Sequence, residues 1–478
     1  MASRAHTADS LECDRMPQRT SRLLYTCSLI ACGFAAVGAR ADDWPQWLGP
    51  QRDGVWREKE IVDKFPAGGP KILWRKPVGG GFAGPAVAGG KVYVHDRLLA
   101  AGAKNPENSF SRKENIPGSE RVLCLDAASG EKLWEYKYDC PYVGLSYATG
   151  PRCTPLVSGG RVYTLGAVGD LMCLDAAKGT FIWSMNLLKE YGLAQLPGSG
   201  WGFAGHPLID GDRVICLAAG KGSIVAAFHK DTGKEIWKNL TAREPGYAPP
   251  MIYENDGKRL LIVWHPESIN ALDPVTGELY WTQQYGDKKL VNAGMTIPTP
   301  RLAGDTLYFS SFYAGSVMLR LHGAKQPEIV WKAHGRDVLP DDTEALHCVM
   351  STPYIRGGYI YGADSYGEFR CLNAKTGERI WSTYQPIAGK SMRWGNVFIV
   401  PHEDRVFLFN EGGDLILARL TSKKYEEISR AHILEPKTPI RFDKPNTRMV
   451  IWSHPAYANR CCFTRSDEEI VCVSLAKE

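Results

Sequence analysis

Chemically versatile side chains recur in the short segments that precede a series of regularly spaced prolines. Arginine can bind a carboxylate or phosphate through charge-assisted hydrogen bonds. Tryptophan and tyrosine offer flat apolar surfaces, and histidine can change its charge near neutral pH. Convergent polar and aromatic groups are typical of a ligand-binding pocket. We therefore predict one binding surface formed by Arg152, Trp201, His206, Tyr247, His347, Arg393, Trp394, Trp452 and His454, with His265 and Glu267 from a nearby turn.

A purely structural role is the alternative for the same residues. Tryptophan and histidine before a strand can close the end of that strand, as a ring of β-sheets requires. Both arginines, Arg152 and Arg393, would then pair with acidic side chains and only stiffen the surface; the candidate partners are Asp170, Glu267 and Asp364. The residues alone leave the two interpretations open.

Sequence motifs for several kinds of catalysis are absent. The four histidines of the predicted surface come from different repeats, and no His-x-x-x-His pair occurs in the chain, so we predict no metal site. The sequence also lacks a Gly-x-Ser-x-Gly elbow and a P-loop. Catalytic residues are therefore not assigned. The formal net charge of +5 over 478 residues is too weak to indicate a nucleic acid partner.

Two kinds of β-hairpin alternate along the chain and would position these side chains. One begins with proline and continues through an apolar strand, a Gly-rich turn and a second strand, as at 155–164, and eight copies of it occur. The other has an Asp-x-x-x-Gly turn followed by tryptophan, as at 171–183. We predict that its tryptophans are structural and buried between repeats: Trp74, Trp134, Trp183, Trp237, Trp281, Trp331 and Trp381.

One hairpin of each kind gives four antiparallel strands, which is one blade of a β-propeller. The eighth proline hairpin has no tryptophan hairpin after it, but an unpaired strand at 71–78 precedes the first copy. We therefore predict an all-β, eight-bladed propeller whose last blade is completed by strand 71–78 beside Val471-Cys-Val473. Such a closed ring has no open sheet edge between its ends, and we expect it to be monomeric.

The first 41 residues have the pattern of a secretory signal peptide. Arg15, Arg19 and Arg22 precede an apolar stretch that ends at Ala39-Arg-Ala41. We predict cleavage after Ala41 and export to the periplasm or the extracellular space, with lipidation at Cys32 as a minor alternative. The apolar stretch of about 16 residues is shorter than the ~20 that a transmembrane span needs.

The rest of the chain divides into two parts. Residues 42–70, here called the leading segment, are polar and rich in proline and glycine, and we expect them to lie over the outside of the ring. Residues 71–478 form the propeller. The adjacent cysteines Cys461 and Cys462 align with a strand of the proline hairpin, so they are predicted to be core residues.

The repeats resemble those of bacterial exported PQQ-like β-propeller proteins, of the kind common in planctomycete-type bacteria. The resemblance rests on the Leu-Asp-Ala-x-x-Gly-x-x-x-Trp hairpin and on Trp-Pro-x-Trp-x-Gly-Pro-x-Arg-Asp-Gly at 44–54, and it covers about residues 43–475. The same superfamily includes quinoprotein alcohol dehydrogenases and an outer-membrane assembly lipoprotein. The resemblance indicates the fold more strongly than the chemistry, because one fold supports many functions.

For a dehydrogenase, the resemblance implies PQQ stacked between a tryptophan and a disulfide of adjacent cysteines, and Ca²⁺ bound by a Glu, an Asn and an Asp. Glu267, Asn396 and Asp364 offer suitable oxygen atoms, but their spacing matches no family motif. We therefore predict an exported scaffold that binds a protein, peptide or glycan partner. The alternative is a PQQ- and calcium-dependent dehydrogenase that oxidises an alcohol or a sugar.

Overall fold

The computed structural model describes residues 43–112, 115–284, 295–443 and 446–477. The predicted signal peptide, with Cys32, lies outside the described residues. Within them, the protein is built from antiparallel β-strands, and one short helix, α1 (Leu187–Glu190), follows the second blade. None of the described helices is long and apolar enough to cross a membrane.

Eight four-stranded antiparallel sheets form the blades, which confirms the predicted all-β, eight-bladed propeller. The first strands of neighbouring blades contact one another, so these strands surround the central channel. From the innermost strand outward, blade 1 has β2 (Ala86–Ala88), β3 (Lys91–Leu99), β5 (Gly118–Asp126) and β6 (Lys132–Asp139); blade 2 has β8 (Leu156–Ser158), β9 (Arg161–Leu165), β10 (Asp170–Asp175) and β11 (Phe181–Asn186); blade 3 has β12 (Leu208–Asp210), β13 (Arg213–Leu217), β14 (Val225–His229) and β15 (Glu235–Asn239); and blade 4 has β16 (Met251–Asn255), β17 (Lys258–His265), β18 (Ser268–Leu272) and β19 (Leu279–Gln284).

The second half of the ring repeats this arrangement. Blade 5 has β20 (Arg301–Ala303), β21 (Thr306–Ser311), β22 (Gly315–His322) and β23 (Lys325–Ala333); blade 6 has β24 (Tyr354–Arg356), β25 (Tyr359–Ala363), β26 (Phe369–Asn373) and β27 (Arg379–Thr383); blade 7 has β28 (Val397–His402), β29 (Arg405–Asn410), β30 (Asp414–Leu420) and β31 (Tyr425–His432); and blade 8 has β34 (Ala456–Ala458), β35 (Cys461–Arg465), β36 (Glu469–Ser474) and β1 (Ile72–Pro77). Two small hairpin-like pairs lie outside the blades: β4 (Asn115–Ile116) with β7 (Tyr142–Val143), and β32 (Thr438–Asp443) with β33 (Asn446–Val450).

The ring is closed by the N-terminal strand, as predicted. Strand β1 pairs antiparallel with β36, with Trp74 opposite Cys472 and Ile72 opposite Val473. The outer strand of blade 8 therefore comes from the start of the propeller, and the two ends of the chain hold the same sheet together.

Consecutive blades are joined by a contact between the tryptophan of one blade and the turn of the next. A Cβ atom added to Gly277 would lie 2.5 Å from the Trp237 indole, and the Trp183 indole N–H donates to the Lys230 carbonyl at 2.9 Å. The same hydrogen bond to the next turn is made by Trp74, Trp134, Trp281, Trp331 and Trp381. The glycine and tryptophan of the motif thus form one interface between blades.

Replacing Gly277 with alanine should destabilise the protein for two reasons. Its φ of +73° lies in the left-handed region, which costs an alanine about 1–2 kcal/mol. The added methyl group would also overlap the Trp237 indole, and such overpacking costs about 1–3 kcal/mol. We expect both losses in the free energy of unfolding, measured by denaturant titration.

Gly304 provides the matched control for this substitution. Its φ is +63°, but no atom lies within 4 Å of an added Cβ, so Gly304→Ala should show the backbone cost alone. Equal destabilisation by the two substitutions would mean that the interface does not require glycine.

The leading segment does not lie over the outside of the ring, and this expectation was wrong. Instead, Trp44 forms a backbone bridge with Val87 in blade 1, and the Pro45 carbonyl accepts a hydrogen bond from Val157 N in blade 2 at 2.8 Å. Further hydrogen bonds reach blades 3, 4, 5, 7 and 8 through the pairs Arg52–Pro207, Arg52–Pro250, Arg301–Asp53, Trp56–Pro401 and Glu58–Asn459. The segment therefore crosses the central channel.

Unpaired strand edges explain this position. The innermost strands present backbone donors and acceptors to the channel, and buried backbone groups need partners. The leading segment supplies them, and it buries Trp44 and Trp56 almost completely. Its polar composition suggested exposure, but its tryptophans and backbone groups fill the centre of the ring.

Candidate ligand-binding pocket

A pocket lies on the axis of the ring, between the leading segment and the segments that precede the innermost strands. It has a volume of about 980 Å³, which includes space open to solvent. Its wall is dominated by the aromatic side chains of Trp47, Phe82, Tyr147, Trp201, Tyr247, Trp394, Phe398 and Trp452. Three lining residues carry charged or titratable groups of another kind, Arg152, His206 and His454, and the others are aliphatic, proline or methionine residues.

Seven of the eleven residues predicted for the binding surface line this pocket: Arg152, Trp201, His206, Tyr247, Trp394, Trp452 and His454. They come from different blades, yet each precedes an innermost strand. Because all innermost strands run in the same sense around the channel, the segments before them meet at one end of the ring.

The other four predicted residues lie outside the lining, and they are His265, Glu267, His347 and Arg393. The Arg393 guanidinium lies 4.9 Å from the centre of the Trp394 ring, and the side chain is exposed at the rim. His347 is fully buried, and its Nδ1 lies 2.8 Å from the Phe312 carbonyl. His265 accepts a hydrogen bond from the Glu267 N–H within their shared turn.

Trp47 of the leading segment forms the inner end of the pocket. Its indole stacks on the His206 ring, with the centres 3.9 Å apart and the planes 10° apart, and it meets the His454 ring at 4.9 Å and 65°. The indole N–H donates to Thr299 Oγ1 at 3.0 Å. Sequence reasoning missed Trp47 because it belongs to no repeat, and nothing in the sequence places it in the channel.

Two further wall residues could have been found from the sequence. Phe82 precedes Pro85, the first proline of the repeat, and Tyr147 lies in the segment before the second copy. Both occupy the position that identified the other wall residues. The Tyr147 ring contacts Trp201 and Trp452, with centres 6.2 Å apart in each case.

An insertion in blade 1 crosses the mouth of the pocket, and we call residues 103–112 the strap. Its Phe110 packs edge-on against Tyr147 at 5.3 Å and against Trp394 at 6.0 Å. The Ser109 carbonyl accepts the Tyr147 N–H at 2.6 Å, and the Ser109 hydroxyl donates to a carbonyl of the β32–β33 pair at 3.3 Å. The strap therefore narrows the entrance with another aromatic group.

Arg152 is saturated by backbone carbonyl groups. Its Nε donates to the Trp201 carbonyl at 3.0 Å, and its Nη2 donates to the Ser146 and Tyr147 carbonyls at 2.8 and 2.7 Å; Nη1 donates to Gly150. The candidate carboxylates are bonded elsewhere, Asp170 to Asn186, Glu267 to the Arg243 N–H and Asp364 to Arg370. Arg152 therefore holds three chain segments together and donates little to a ligand.

Burial keeps the pocket histidines uncharged. Loss of solvation lowers the pKa of His206 well below 6.5, and nearby Arg52 and His454 lower it further. Loss of solvation also lowers the pKa of His454 to about 4, although the Pro455 carbonyl favours its charged form. The expectation that the pocket titrates near neutral pH was wrong, because burial depth cannot be read from residue types.

Comparison with known proteins now assigns the chain to a family. Residues 118–383, which are more than half of the chain, match the PQQ_2 family, described as outer membrane protein assembly factor BamB. The chain belongs to this family. The match confirms the resemblance to PQQ-like propellers that the hairpin motifs indicated.

Individual relatives are distant. The chain is 25% identical over 287 residues to the outer membrane protein assembly factor BamB of Moranella endobia, covering 58% of this chain and 68% of that protein. It is 29% identical over 221 residues to the quinohemoprotein alcohol dehydrogenase ADH IIB of Pseudomonas putida, covering 41% of this chain but only 29% of the enzyme. Among solved structures, a europium-containing methanol dehydrogenase matches with a TM-score of 0.57 and 13% identity, over 89% of this chain and 90% of that one. At that identity, the likeness shows a shared fold.

The residues of this chain do not fit the metal site that the dehydrogenases of the superfamily imply. Glu267, Asp364 and Asn396 do not converge, and no cluster of three or more His, Cys, Asp or Glu side chains suited to a metal ion occurs in the described ranges. Glu411 accepts the Asn396 N–H at 3.1 Å, so these two side chains are neighbours, but the Arg448 guanidinium lies 3.0 Å from the Glu411 carboxylate. A cation is already present where a metal ion would have to bind.

The cysteines do not fit a PQQ site either. Cys461 and Cys462 lie within β35, both are buried free thiols, and neither lines the pocket. Successive residues of a strand point to opposite faces of the sheet, so the pair presents no common surface on which a quinone could stack.

Stability should fall as the pH drops below about 6.5, because both pocket histidines have a lower pKa in the folded protein than in the unfolded chain. The unfolded chain then binds more protons, and linkage converts this difference into a loss of folding free energy that grows until the folded pKa of about 4 is passed. Above pH 6.5 this contribution is constant.

NMR of ¹³C-labelled histidine measures the same property directly. The Cε1 shifts of His206 and His454, assigned with single asparagine substitutions, should not change between pH 5.5 and 8. A titration midpoint near 6.5 for either ring would contradict the assignment of a buried, neutral pair.

Proposed function

We propose that this protein is an exported, non-catalytic binding protein whose partner inserts a flat, mainly apolar group into the pocket. One observation carries the proposal: eight aromatic side chains converge on a cavity whose arginine is already saturated by the protein. Rigid aromatic surfaces gain binding energy with little loss of side-chain entropy and are enriched where proteins recognise partners. A protein, peptide or glycan partner offers groups that stack on such surfaces.

The location and the partner class draw on two further observations. The first 41 residues have the pattern of a cleaved signal peptide, and the family description names an assembly factor for outer membrane proteins. We extend both to this chain as part of the proposal, namely export and a role as a scaffold. The dehydrogenase alternative has less support, because the oxygen ligands and adjacent cysteines are not arranged for PQQ and Ca²⁺.

Filling the pocket tests the proposed site. Ala204 is part of the lining, so Ala204→Phe should place a ring in the space that a partner needs. The dye 8-anilinonaphthalene-1-sulfonate fluoresces in apolar sites, and its affinity should fall about tenfold or more, since one lost aromatic contact is worth about 1.4 kcal/mol. The unfolding temperature should change little, because the cavity has room for the added ring.

Ala177 provides the control, because it is exposed in a turn of blade 2. Ala177→Phe should bind the dye like the unchanged protein. Equal dye binding by the two variants would show that the pocket is not the apolar site. Retention of PQQ with Ca²⁺ through gel filtration, together with oxidation of an alcohol by the complex, would replace the proposal with the dehydrogenase alternative.

A further inference from the structure

Two histidine nitrogen atoms are the polar positions that the pocket offers to a ligand on either side of Trp47. Both rings line the pocket, and each uses its Nδ1 for a hydrogen bond within the protein. In the described part of the chain, the Nε2 atoms have no protein partner, and neither is among the fully buried unbonded atoms. Both atoms therefore remain available to a ligand.

The hydrogen bond at His206 fixes its Nε2 as a donor. The Thr154 backbone N–H can only donate, and it lies 2.9 Å from His206 Nδ1, so this nitrogen must be the acceptor. A neutral imidazole then carries its single proton on the other nitrogen. His206 thus presents an N–H group to the pocket while its ring is held flat against Trp47.

The hydrogen bond at His454 has the opposite consequence. The Pro455 carbonyl can only accept, and it lies 2.6 Å from His454 Nδ1, so this nitrogen carries the proton. Nε2 of the neutral ring is then an acceptor. The two rings, both in contact with the Trp47 indole, therefore offer one donor and one acceptor to the same ligand.

The surroundings favour an uncharged ligand. The wall is aromatic and aliphatic, and the Arg152 N–H groups point to backbone carbonyls. A charged group that enters such a pocket loses its hydration and finds no opposite charge with free donors or acceptors, which is costly. A group with one acceptor and one donor would instead satisfy both histidines, and leaving either unpaired reduces affinity.

We propose that the pocket recognises an uncharged, planar amide edge attached to an aromatic or apolar group, with the carbonyl bound by His206 and the amide N–H bound by His454. This inference rests on the proposed function and names the chemistry that the same site selects. The amide could belong to a small molecule or to a peptide, and the chemistry is the same in both. The flat part of the ligand then stacks within the aromatic wall, where Trp47 lies between the two hydrogen-bonding rings.

Three isosteric probes test the selectivity at pH 7.5. Benzamide is neutral, benzoate carries a negative charge and benzylammonium carries a positive charge, but all three present the same ring. Isothermal titration calorimetry should show that benzamide binds about tenfold more tightly than either ion, since one well-made hydrogen bond and one avoided desolvation each contribute on that scale. A tripeptide ending in phenylalaninamide separates the sources, because tighter binding than benzamide assigns the amide to a peptide and equal or weaker binding assigns it to a small molecule.

Substitutions at His206 test the proposed donor. In His206→Asn, the side-chain amide replaces Nδ1 and keeps the bond to Thr154, but the donor to the ligand is lost. In His206→Gln, the longer amide replaces Nε2 and keeps that donor. We expect the benzamide affinity to fall about tenfold in the asparagine variant and to be largely retained in the glutamine variant.

His402 is the matched control. It is also a buried histidine in contact with a tryptophan of the leading segment, Trp56, at 5.1 Å, and its Nδ1 lies 3.1 Å from the Trp56 carbonyl, but it does not line the pocket. His402→Asn should leave benzamide binding unchanged, and circular dichroism should show that all variants are folded.

Several results would overturn the inference. They are benzoate or benzylammonium binding as tightly as benzamide, no binding of any probe, or equal effects of asparagine and glutamine at His206. If an ion binds best and Ala204→Phe still blocks it, the pocket is a binding site with a different selectivity, so the proposed function survives and the amide inference fails. If Ala204→Phe blocks neither probe nor dye, the proposed function fails as well.

Discussion

The contact between the tryptophan of one blade and the turn of the next is the interaction on which the whole structure depends. An indole can lie flat against the turn only where glycine leaves out a side chain, and its N–H then reaches a carbonyl of the same turn, as Trp183 does at Lys230. Repetition of this contact fixes the angle between neighbouring blades. The ring closes because the last such contact involves Trp74, which the chain supplies from its beginning while β1 completes blade 8.

A closed ring creates a second constraint at its centre. Eight innermost strands face one another there with unpaired backbone groups, which water or protein must satisfy. The leading segment does this for at least seven blades, and it thereby converts an open channel into a pocket with a tryptophan at its inner end. The binding site is thus a consequence of closing the fold, since the residue that shapes its floor is present for reasons of backbone pairing.

The chemistry of the site follows from how its polar groups are bonded. Arg152 joins three segments through carbonyl groups, and two histidines each use one ring nitrogen on a backbone partner. What remains is a flat apolar surface with one donor and one acceptor, which suits recognition more than bond breaking. Membership of the family described as outer membrane protein assembly factor BamB is consistent with such a role. The distant likeness to quinoprotein dehydrogenases reflects the shared propeller, because the adjacent cysteines and candidate oxygen ligands of this chain are placed elsewhere.

The sequence by itself determined the fold and the end of the ring where the site lies. Period and turn chemistry are local properties, so the hairpins, the eight blades and the closing strand could be read from residue order, and the segments before each proline had to meet. The tertiary structure decided which of those side chains face the cavity, and it added Trp47, which no repeat contains. It also decided that Arg152 is saturated and that His206 and His454 are neutral with opposite proton positions. These properties depend on burial and on hydrogen-bond partners distant in the chain, and neither distance nor depth is encoded in the spacing of residues.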